Sequence, residues 1–300
     1  MRNSTSLIFA VVMAVLGACR PTPEAQAEQT KATAQERAKK VAQRLASVDA
    51  NSDDDKPVAQ WIMPKDLREI SGLALLPNGQ LLAHGDEQAI IVVIDPRTGL
   101  IAKRFQLRGG VHGDFEGITV VGNDIWMMQS NGKLFQFRQG DNKAHVPYVM
   151  HDTKLGKECE FEGVAYEPDS SRLVMACKRV TKKGVKDQLI LYRISLAGGV
   201  LGEPSTLSIP LEDVIGSNNF KHFHPSDITV DPTTGNYVII AAQEKAIVVM
   251  TPAGEIVRSG TLPGKHPQAE GVAITPDNVL IVSDEATNTP AVITLYRWRP

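Results

Sequence analysis

Phe115-Glu116-Gly117-Ile118-Thr119 is one of five similar phrases that divide this 300-residue chain into repeats. Each phrase opens an apolar run. The other four are Ile70-Ser71-Gly72-Leu73-Ala74, Phe161-Glu162-Gly163-Val164-Ala165, Pro225-Ser226-Asp227-Ile228-Thr229 and Ala269-Glu270-Gly271-Val272-Ala273. Their third residues stand at 72, 117, 163, 227 and 271, so the steps between them are 45, 46, 64 and 44 residues. A repeat in the forties, built of short strand-like runs, is typical of β-propeller blades.

Each repeat predicts a blade of four antiparallel strands. In the second repeat, four apolar runs follow one another at 117–121, 124–129, 133–138 and 145–150. Short runs rich in Val, Ile and aromatic residues, bounded by Gly, Asn, Asp or Pro, indicate strands joined by turns. We therefore expect an all-β fold of four-stranded antiparallel blades.

The two ends of the repeat region complement each other. The last repeat lacks one strand after residues 291–298, whereas an unassigned strand-like run, 58–63, precedes the first repeat. Adding that run to the last blade closes the ring and leaves no long sheet edge exposed. The sequence predicts a five-bladed propeller closed by an N-terminal strand. A sixth blade would have to come from residues 201–223, which contain one clear strand-like run and which we interpret as an insertion loop.

The first 18 residues predict a lipoprotein signal peptide. Arg2 opens a basic region, residues 7–15 are apolar, and Leu16-Gly17-Ala18-Cys19 resembles a bacterial lipobox, in which the cysteine is acylated. The apolar run is too short to span a membrane. Arg20 after the cysteine resembles cargo sent on to the outer membrane. The expectation is a bacterial cell-envelope protein, lipid-anchored and facing the periplasm; an ordinary signal with an accidental cysteine is the alternative.

Residues 19–56 predict a lipidated flexible tether, and residues 57–300 predict the propeller domain. After Cys19 the tether contains no aromatic residue and is dominated by small and polar residues. Such a composition cannot bury enough apolar surface to fold alone. A helix over 34–48 would place Ala34, Ala38, Val41 and Leu45 on one face, with a small contribution to a core.

Charge and cysteine content restrict the partners. The formal net charge is −2, which argues against nucleic acid as the main partner because no basic excess exists to neutralise phosphates. We interpret Lys178-Arg179 as part of a solvated hairpin tip. Cys159 and Cys177 remain in an oxidising compartment on neighbouring predicted strands, where a disulfide is geometrically conceivable but is not required by strand alternation.

Three glutamates occupy the same repeat position: Glu116, Glu162 and Glu270. In a propeller the first strand of each blade lines the central channel, so these carboxylates should meet at one mouth. Like charges so close raise one another's pKa unless a cation neutralises them, and clustered oxygen ligands suit Ca²⁺. We predict a calcium site formed by these glutamates together with Asp227. The alternative is that they accept backbone hydrogen bonds and hold the blades together.

Further polar residues are expected around the same mouth. Glu69, Asp114 and Glu160 stand two residues before the equivalent positions, and Asp284-Glu285 ends the second strand of the last repeat. Such a ring predicts a ligand-binding surface, although the ends of strands at a protein surface are polar in any case.

Four phrases resemble those of the SdiA-regulated (YjiK-like) β-propeller family. They are Asp-Phe-Glu-Gly-Ile at 114–118, Cys-Glu-Phe-Glu-Gly-Val-Ala-Tyr at 159–166, Pro-Gln-Ala-Glu-Gly-Val-Ala at 267–273 and Ile-Val-Ser-Asp-Glu at 281–285. The resemblance covers roughly residues 58–298. It implies a periplasm-facing propeller with bound calcium and no established reaction, in which Glu116, Glu162 and Glu270 are the site carboxylates. The chain departs from the family in its lipobox, its tether and the Pro-Ser-Asp of its fourth repeat.

Two classes of function follow. The first is a membrane-anchored protein that binds calcium at the channel mouth and binds or scaffolds an unknown small-molecule or protein ligand, its membrane contact being the lipid on Cys19. The second is a calcium-dependent hydrolase similar to lactonases, phosphodiesterases or phytases, in which a channel metal activates water. The sequence has no Gly-x-Ser-x-Gly elbow, and no catalytic constellation can be identified from spacing.

Overall fold

The computed structural model describes residues 23–47 and 55–299. The predicted signal peptide and Cys19 lie outside these residues. The described chain forms five sheets arranged as a ring, each with four antiparallel strands, a five-bladed β-propeller. The predicted fold is confirmed.

The first three blades follow the first three repeats. Their strands are β2 (Ile70–Leu75), β3 (Leu81–Gly85), β4 (Ile90–Asp95) and β5 (Leu100–Leu107); β6 (Phe115–Val121), β7 (Asp124–Gln129), β8 (Lys133–Arg138) and β10 (Tyr148–Asp152); and β11 (Cys159–Glu167), β12 (Arg172–Val180), β13 (Gln188–Ala197) and β14 (Val200–Pro210). A short strand, β9 (His145–Val146), pairs in parallel with β5 of the first blade.

The last two blades complete the ring. Their strands are β15 (Asp227–Val230), β16 (Tyr237–Ala241), β17 (Ala246–Met250) and β18 (Ile256–Thr261); and β19 (Ala269–Ile274), β20 (Val279–Asp284), β21 (Val292–Arg297) and β1 (Ala59–Ile62). Strand β1 pairs with β21 with Ala59 opposite Leu295, so the N-terminal strand closes the last blade as predicted. The indole of Trp61 faces the first blade, where its Nε1 donates to the Pro96 carbonyl oxygen at 2.8 Å.

Two details differ from the strand predictions. The run 145–150 is split between two blades at Pro147, because proline has no N–H to continue a ladder. Residues 201–223 are not wholly an insertion loop: they supply most of the long strand β14, followed by the short helix α2 (Leu211–Ile215). No sixth sheet occurs in the described part of the chain.

The innermost strands β2, β6, β11, β15 and β19 surround the channel. Four of them carry a register irregularity at the X-Gly step of the repeat phrase, a β-bulge. The fourth blade, where Asp227 replaces glycine, pairs regularly. The glycines are required by packing: a Cβ on Gly117 would lie 2.7 Å from the Val164 nitrogen. The ring is therefore tightest at these phrases.

Cys159 and Cys177 form a disulfide between β11 and β12, with Cα atoms 5.8 Å apart. Both side chains are buried in the core between the second and third blades. Strand alternation alone does not require the two cysteines to meet. The bulge in β11, which shifts the register between Glu160 and Phe161, allows them to do so.

A helix, α1 (Pro23–Ser47), occupies part of the segment predicted as a tether. It begins at Pro23, earlier than the predicted 34, and it rests on the propeller with Val41 buried and Leu45 partly buried. Arg44 donates to the Val58 carbonyl oxygen at 2.8 Å, and the Arg37 guanidinium lies over the Trp61 ring at 5.5 Å. Among the described residues, no helix is long and apolar enough to cross a membrane.

Candidate functional site

The starts of the innermost strands form one end of the channel, which we name the acidic mouth and define by Glu116, Glu162 and Glu270. Each glutamate stands at or beside the bulge of its strand, on β6, β11 and β19. Bulges often redirect a side chain near functional sites. The geometry brings together the three glutamates that share a repeat position, because their charges interact with one another and with Lys178.

Lys178 is the internal counter-charge of this mouth. Its Nζ lies 2.6 Å from Glu162 Oε1, with the side chain of Glu162 only 4% exposed and that of Lys178 23% exposed. Burial lowers the pKa of Lys178, but the charges of Glu162, Glu270 and Glu116 outweigh it, so the net shift is upward. The expectation of a solvated hairpin tip is therefore wrong for Lys178, while Arg179 is exposed and pairs with Glu160 at 2.5 Å.

Glu116 is the carboxyl that holds a proton. Burial first, then the charges of Glu162 and Asp114, raises the pKa of Glu116 to about 10. Its side chain shares hydrogen bonds with Asp114 and Glu162 and accepts one from Ser71 Oγ at 3.1 Å. Burial also raises the pKa of Glu162, against the lowering effect of Lys178. The ionised pair is Glu162 with Lys178, and Glu116 is neutral beside it.

Glu270 completes the mouth from the last blade. It accepts a hydrogen bond from Gln268 Nε2 at 2.5 Å. Burial, followed by the charge of Glu162, raises the pKa of Glu270 to about 7. This carboxyl therefore changes charge near neutral pH.

Asp227 has a different role from the three glutamates. Its Oδ1 accepts the Ile228 N–H at 2.8 Å, its Oδ2 accepts the Val272 N–H at 2.7 Å, and the Leu73 N–H also donates to it. Burial raises the pKa of Asp227, and these three bonds oppose the rise by favouring the ionised form. The carboxylate ties β15, β19 and β2 together within the channel wall.

A second acidic group lies beside the mouth on the first and last blades. Burial, and then the charge of Glu69, raises the pKa of Asp86; burial, and then the charges of Asp86 and Glu69, raises the pKa of Glu285. The Oδ1 of Asp86 is buried without a hydrogen-bond partner in the described structure. Of the predicted ligand-binding residues, Glu69, Asp114 and Glu285 belong to this acidic surface. Asp284 does not, because it is buried and lies 2.6 Å from His266 Nδ1.

The donor chemistry of the acidic mouth suits a hard cation, since carboxylate oxygens are the ligands that Ca²⁺ prefers. In the arrangement described, however, the ammonium of Lys178 stands against Glu162. Across residues 23–47 and 55–299, no three His, Cys, Asp or Glu side chains are placed to hold a metal ion as they stand.

Sequence reasoning did not assign three residues of this face to the site: Lys178, His224 and Glu244. Lys178 could have been found from its place in β12 across from β11, where a long cationic side chain can reach the bulge. His224 and Glu244 form a pair at 2.7 Å, Nδ1 to Oε1, that joins the loop before β15 to the turn after β16. Nothing in the spacing of these two residues indicates the pair.

The fold is similar to those of several solved structures. A glutaminyl cyclase from Myxococcus xanthus is 12% identical, with 80% of this chain and 95% of that protein covered and a TM-score of 0.52. A gluconolactonase from Xanthomonas campestris is 14% identical, with 75% and 71% covered and a TM-score of 0.49. At these identities the likeness concerns the fold alone.

Comparison by sequence gives a narrower result. No curated protein matches the chain. Residues 216–297, which include the fourth blade and most of the fifth, match the model of the SdiA-regulated family. This match, which covers less than half of the chain, supports the resemblance seen in the repeat phrases.

Proposed function

We propose that this chain is a lipid-anchored binding protein of the bacterial cell envelope that takes up Ca²⁺ at its acidic mouth. The observation that carries the proposal is the convergence of Glu116, Glu162 and Glu270 from three blades on the single ammonium of Lys178. The raised pKa values of Glu116 and Glu270 support it, because they reflect burial and mutual repulsion of carboxyl groups, both of which a bound cation would offset.

The proposed ligands are the carboxylates of Glu116, Glu162 and Glu270. When bound, the metal would supply the positive charge that a proton on Glu116 and the ammonium of Lys178 supply in its absence. Lys178 must then leave Glu162, which its partly exposed side chain allows. We leave Asp227 out of the proposed ligand set, because both of its oxygens already accept backbone hydrogen bonds.

Thermal unfolding of the full chain with and without calcium tests the proposal. A cation that binds the folded state alone stabilises it by about 2.7 kcal/mol at one hundred times its dissociation constant. We expect Glu270→Gln to shrink the calcium-dependent rise in melting temperature, and Glu203→Gln, an exposed site on β14, to leave it unchanged. Equal melting temperatures with and without calcium would contradict the proposal.

Lys178 provides the sharper variant. If its ammonium competes with the metal, Lys178→Met should tighten calcium binding by about tenfold or more, since a 1.4 kcal/mol change in competition corresponds to tenfold. Lys182→Met is the matched control, because Lys182 pairs with Glu158 at 3.1 Å outside the mouth. Calcium affinity that falls in Lys178→Met would show that the lysine is part of the site's structure and does not compete.

The anchor is tested separately. We expect Cys19→Ser to release the processed protein from membranes or to leave an unprocessed precursor, because the lipid on Cys19 is the proposed attachment. Fractionation of cells expressing either form measures this. Quantitative membrane association of the processed Cys19→Ser protein would refute the anchor without affecting the calcium proposal.

A calcium-dependent hydrolase is the second candidate, and the pairing of His224 with Glu244 favours it. A carboxylate that orients an imidazole is a common arrangement for a general base, and the His224 side chain is 36% exposed. Hydrolysis of a lactone or a phosphodiester that requires calcium and is lost in Glu244→Gln would support this function. Calcium binding without turnover of either substrate class would leave the binding function.

A further inference from the structure

The opposite end of the channel holds a cavity of about 650 Å³. It lies where the innermost strands end, and we name it the apolar mouth, defined by Leu75, Val120, Tyr166, Val230 and Ile274. Its volume falls within the range of about 300–1,000 Å³ that small-molecule sites occupy. This site is separate from the acidic mouth and does not depend on calcium.

The walls of the apolar mouth come from strand alternation in all five blades. Residues two apart on a strand point to the same side, and on β2, β6, β11 and β15 the residue two positions earlier also lines the cavity. Four of the five defining side chains are only partly buried, namely those of Leu75, Val120, Tyr166 and Val230. Apolar side chains are thus presented to an interior space.

The deep end of the cavity is closed by backbone. At the repeat phrases a Cβ on Gly117 would lie 2.7 Å from the Val164 nitrogen, and one on Gly163 would lie 2.7 Å from the Ile228 nitrogen. The opposite end is bordered by the turns that follow the innermost strands, such as Pro77-Asn78-Gly79 and Pro276-Asp277. The cavity therefore opens on the face away from the acidic mouth.

The charges at the opening balance one another. Arg97 in the first blade contacts Asp277 in the fifth at 2.8 Å, and Asp95 Oδ1 accepts the Arg97 backbone N–H at 2.9 Å. The charged residues that line the opening and the adjoining crevice are Asp95, Arg97, Asp277 and Arg297, whose formal charges sum to zero, so the rim does not favour an ionic ligand. Asn78 Nδ2 donates to Gln80 Oε1 at 2.9 Å, and the remaining donors and acceptors of these two amides can bond to an uncharged polar group. Most of the surface that lines the cavity is apolar, and such cavities accept apolar guests.

Helix α1 extends the cavity sideways. Val41 and Leu45 line the main cavity, and together with Ala42 and Ala46 they also line a crevice of about 380 Å³ against Arg97 and Asp277. The crevice and the cavity share Val41, Leu45, Arg97 and Asp277, so they are contiguous. A deep, mostly apolar cavity that continues into a crevice under α1 suits a long, flexible ligand.

We propose that the apolar mouth binds the aliphatic chain of an uncharged amphiphile, with α1 as one wall of the site. The chain lies in the cavity, and its polar end lies near Asn78 and Gln80 at the rim.

Fluorescence titration of the full chain carrying Cys19→Ser with N-phenyl-1-naphthylamine, an uncharged apolar probe, tests this inference. We expect one saturable site from which 1-dodecanol displaces the probe. Val230→Trp fills part of the cavity and should weaken probe binding at least tenfold. Val257→Trp adds the same volume at an exposed valine on β18 and should leave binding unchanged. The N-terminal apolar run contributes the same background in both variants.

Equal probe affinity in Val230→Trp and Val257→Trp, or failure of 1-dodecanol to displace the probe, would overturn the inference. If circular dichroism shows that Val230→Trp does not fold, Val120→Phe replaces it, with the exposed Val149→Phe on β10 as control. The same criterion applies: only the cavity variant should lose affinity.

Discussion

The two mouths of the channel are built by the same strands and differ in chemistry. At the acidic mouth, bulges place Glu116, Glu162 and Glu270 against one lysine. At the apolar mouth, regular alternation presents Val120, Val230 and other apolar side chains to a cavity. The bulged step reorients the start of a strand, and beyond it the ordinary period of two returns.

The difference shows how the ring separates charge from apolar surface. Burying carboxylates is costly unless they are protonated or paired, and the acidic mouth uses both solutions, with Glu116 neutral and Glu162 bonded to Lys178. The apolar mouth has no such cost and can remain open. Between them the repeat phrases bring the backbones into contact, so the two ends are distinct sites.

Asp227 lies in the fourth repeat phrase, between the two mouths, where neighbouring innermost strands make contact; we call this region the junction. Replacing Asp227 should have the largest effect on stability. Asp227→Ala leaves three buried N–H groups without an acceptor, which should lower the free energy of unfolding by roughly 3–9 kcal/mol at about 1–3 kcal/mol per unsatisfied group. Urea unfolding measures this. Asp169→Ala, at an exposed turn of the third blade, is the control and should be nearly neutral. Similar losses in both variants would show that Asp227 does not hold the junction.

His84 should make the same junction sensitive to acid. It is fully buried, and its Nε2 has no partner among the described residues. Burial lowers its pKa from 6.5 to about 4. Between pH 7 and pH 4 the unfolded chain binds a proton that the folded chain does not, so the stability present above pH 6.5 is lost as the pH falls. The loss should be roughly 3 kcal/mol.

His84→Asn should remove this part of the pH dependence of unfolding, measured by denaturant titration at pH 7 and pH 4. His145→Asn, at an exposed histidine, is the matched control. An unchanged pH dependence in His84→Asn would show that His84 is not the source of the acid sensitivity, and the carboxyls of the acidic mouth would not explain it either, because their raised pKa values favour the folded state as the pH falls.

Gly117 tests whether backbone contact is what separates the two mouths. Gly117→Ala places a methyl group 2.7 Å from the Val164 nitrogen and 2.9 Å from the Gly163 Cα. We expect a loss of about 1–3 kcal/mol, the usual cost of overpacking. Gly260→Ala, on β18 with no atom within 4 Å of the added carbon, should cost less or stabilise slightly. Thermal unfolding of the pair compares them, and equal effects would argue against a tight junction.

Val41 concerns the apolar mouth alone and should have the smallest effect. Val41→Ala removes buried methyl groups of α1 and should weaken its docking by about 1–2 kcal/mol. Hydrogen exchange of the α1 amides reports this local opening. Gln43→Ala, on an exposed part of the helix, should leave exchange unchanged. If the α1 amides exchanged equally in both variants and only through global unfolding, α1 would not open separately from the propeller.

Much of the fold could be predicted because repeat spacing and strand period are local properties. The phrases at 72, 117, 163, 227 and 271 locate the innermost strands, and the missing last strand locates the closure by β1. The division of 145–150 between blades was missed, although Pro147 marks it. The length of β14 was missed because polar, exposed strand residues have weak β patterning.

The site was predicted in part. Repeat position identified Glu116, Glu162 and Glu270 as neighbours, since equivalent residues of a ring must meet. It did not identify Lys178 as their partner, and it grouped Asp227 with them although its carboxylate faces backbone amides. Side-chain direction at a bulge depends on the register of the neighbouring strand, which a single sequence does not reveal.

The sequence by itself determined the number of blades, their closure and the end of the channel at which carboxylates gather, because each follows from periodicity along the chain. Only the tertiary structure decided which carboxyl is protonated, which is paired, and where a cavity remains under α1. These depend on how the blades pack together: burial, and then the charges of Glu162 and Asp114, raises the pKa of Glu116, and residues from all five innermost strands and from α1 line the cavity.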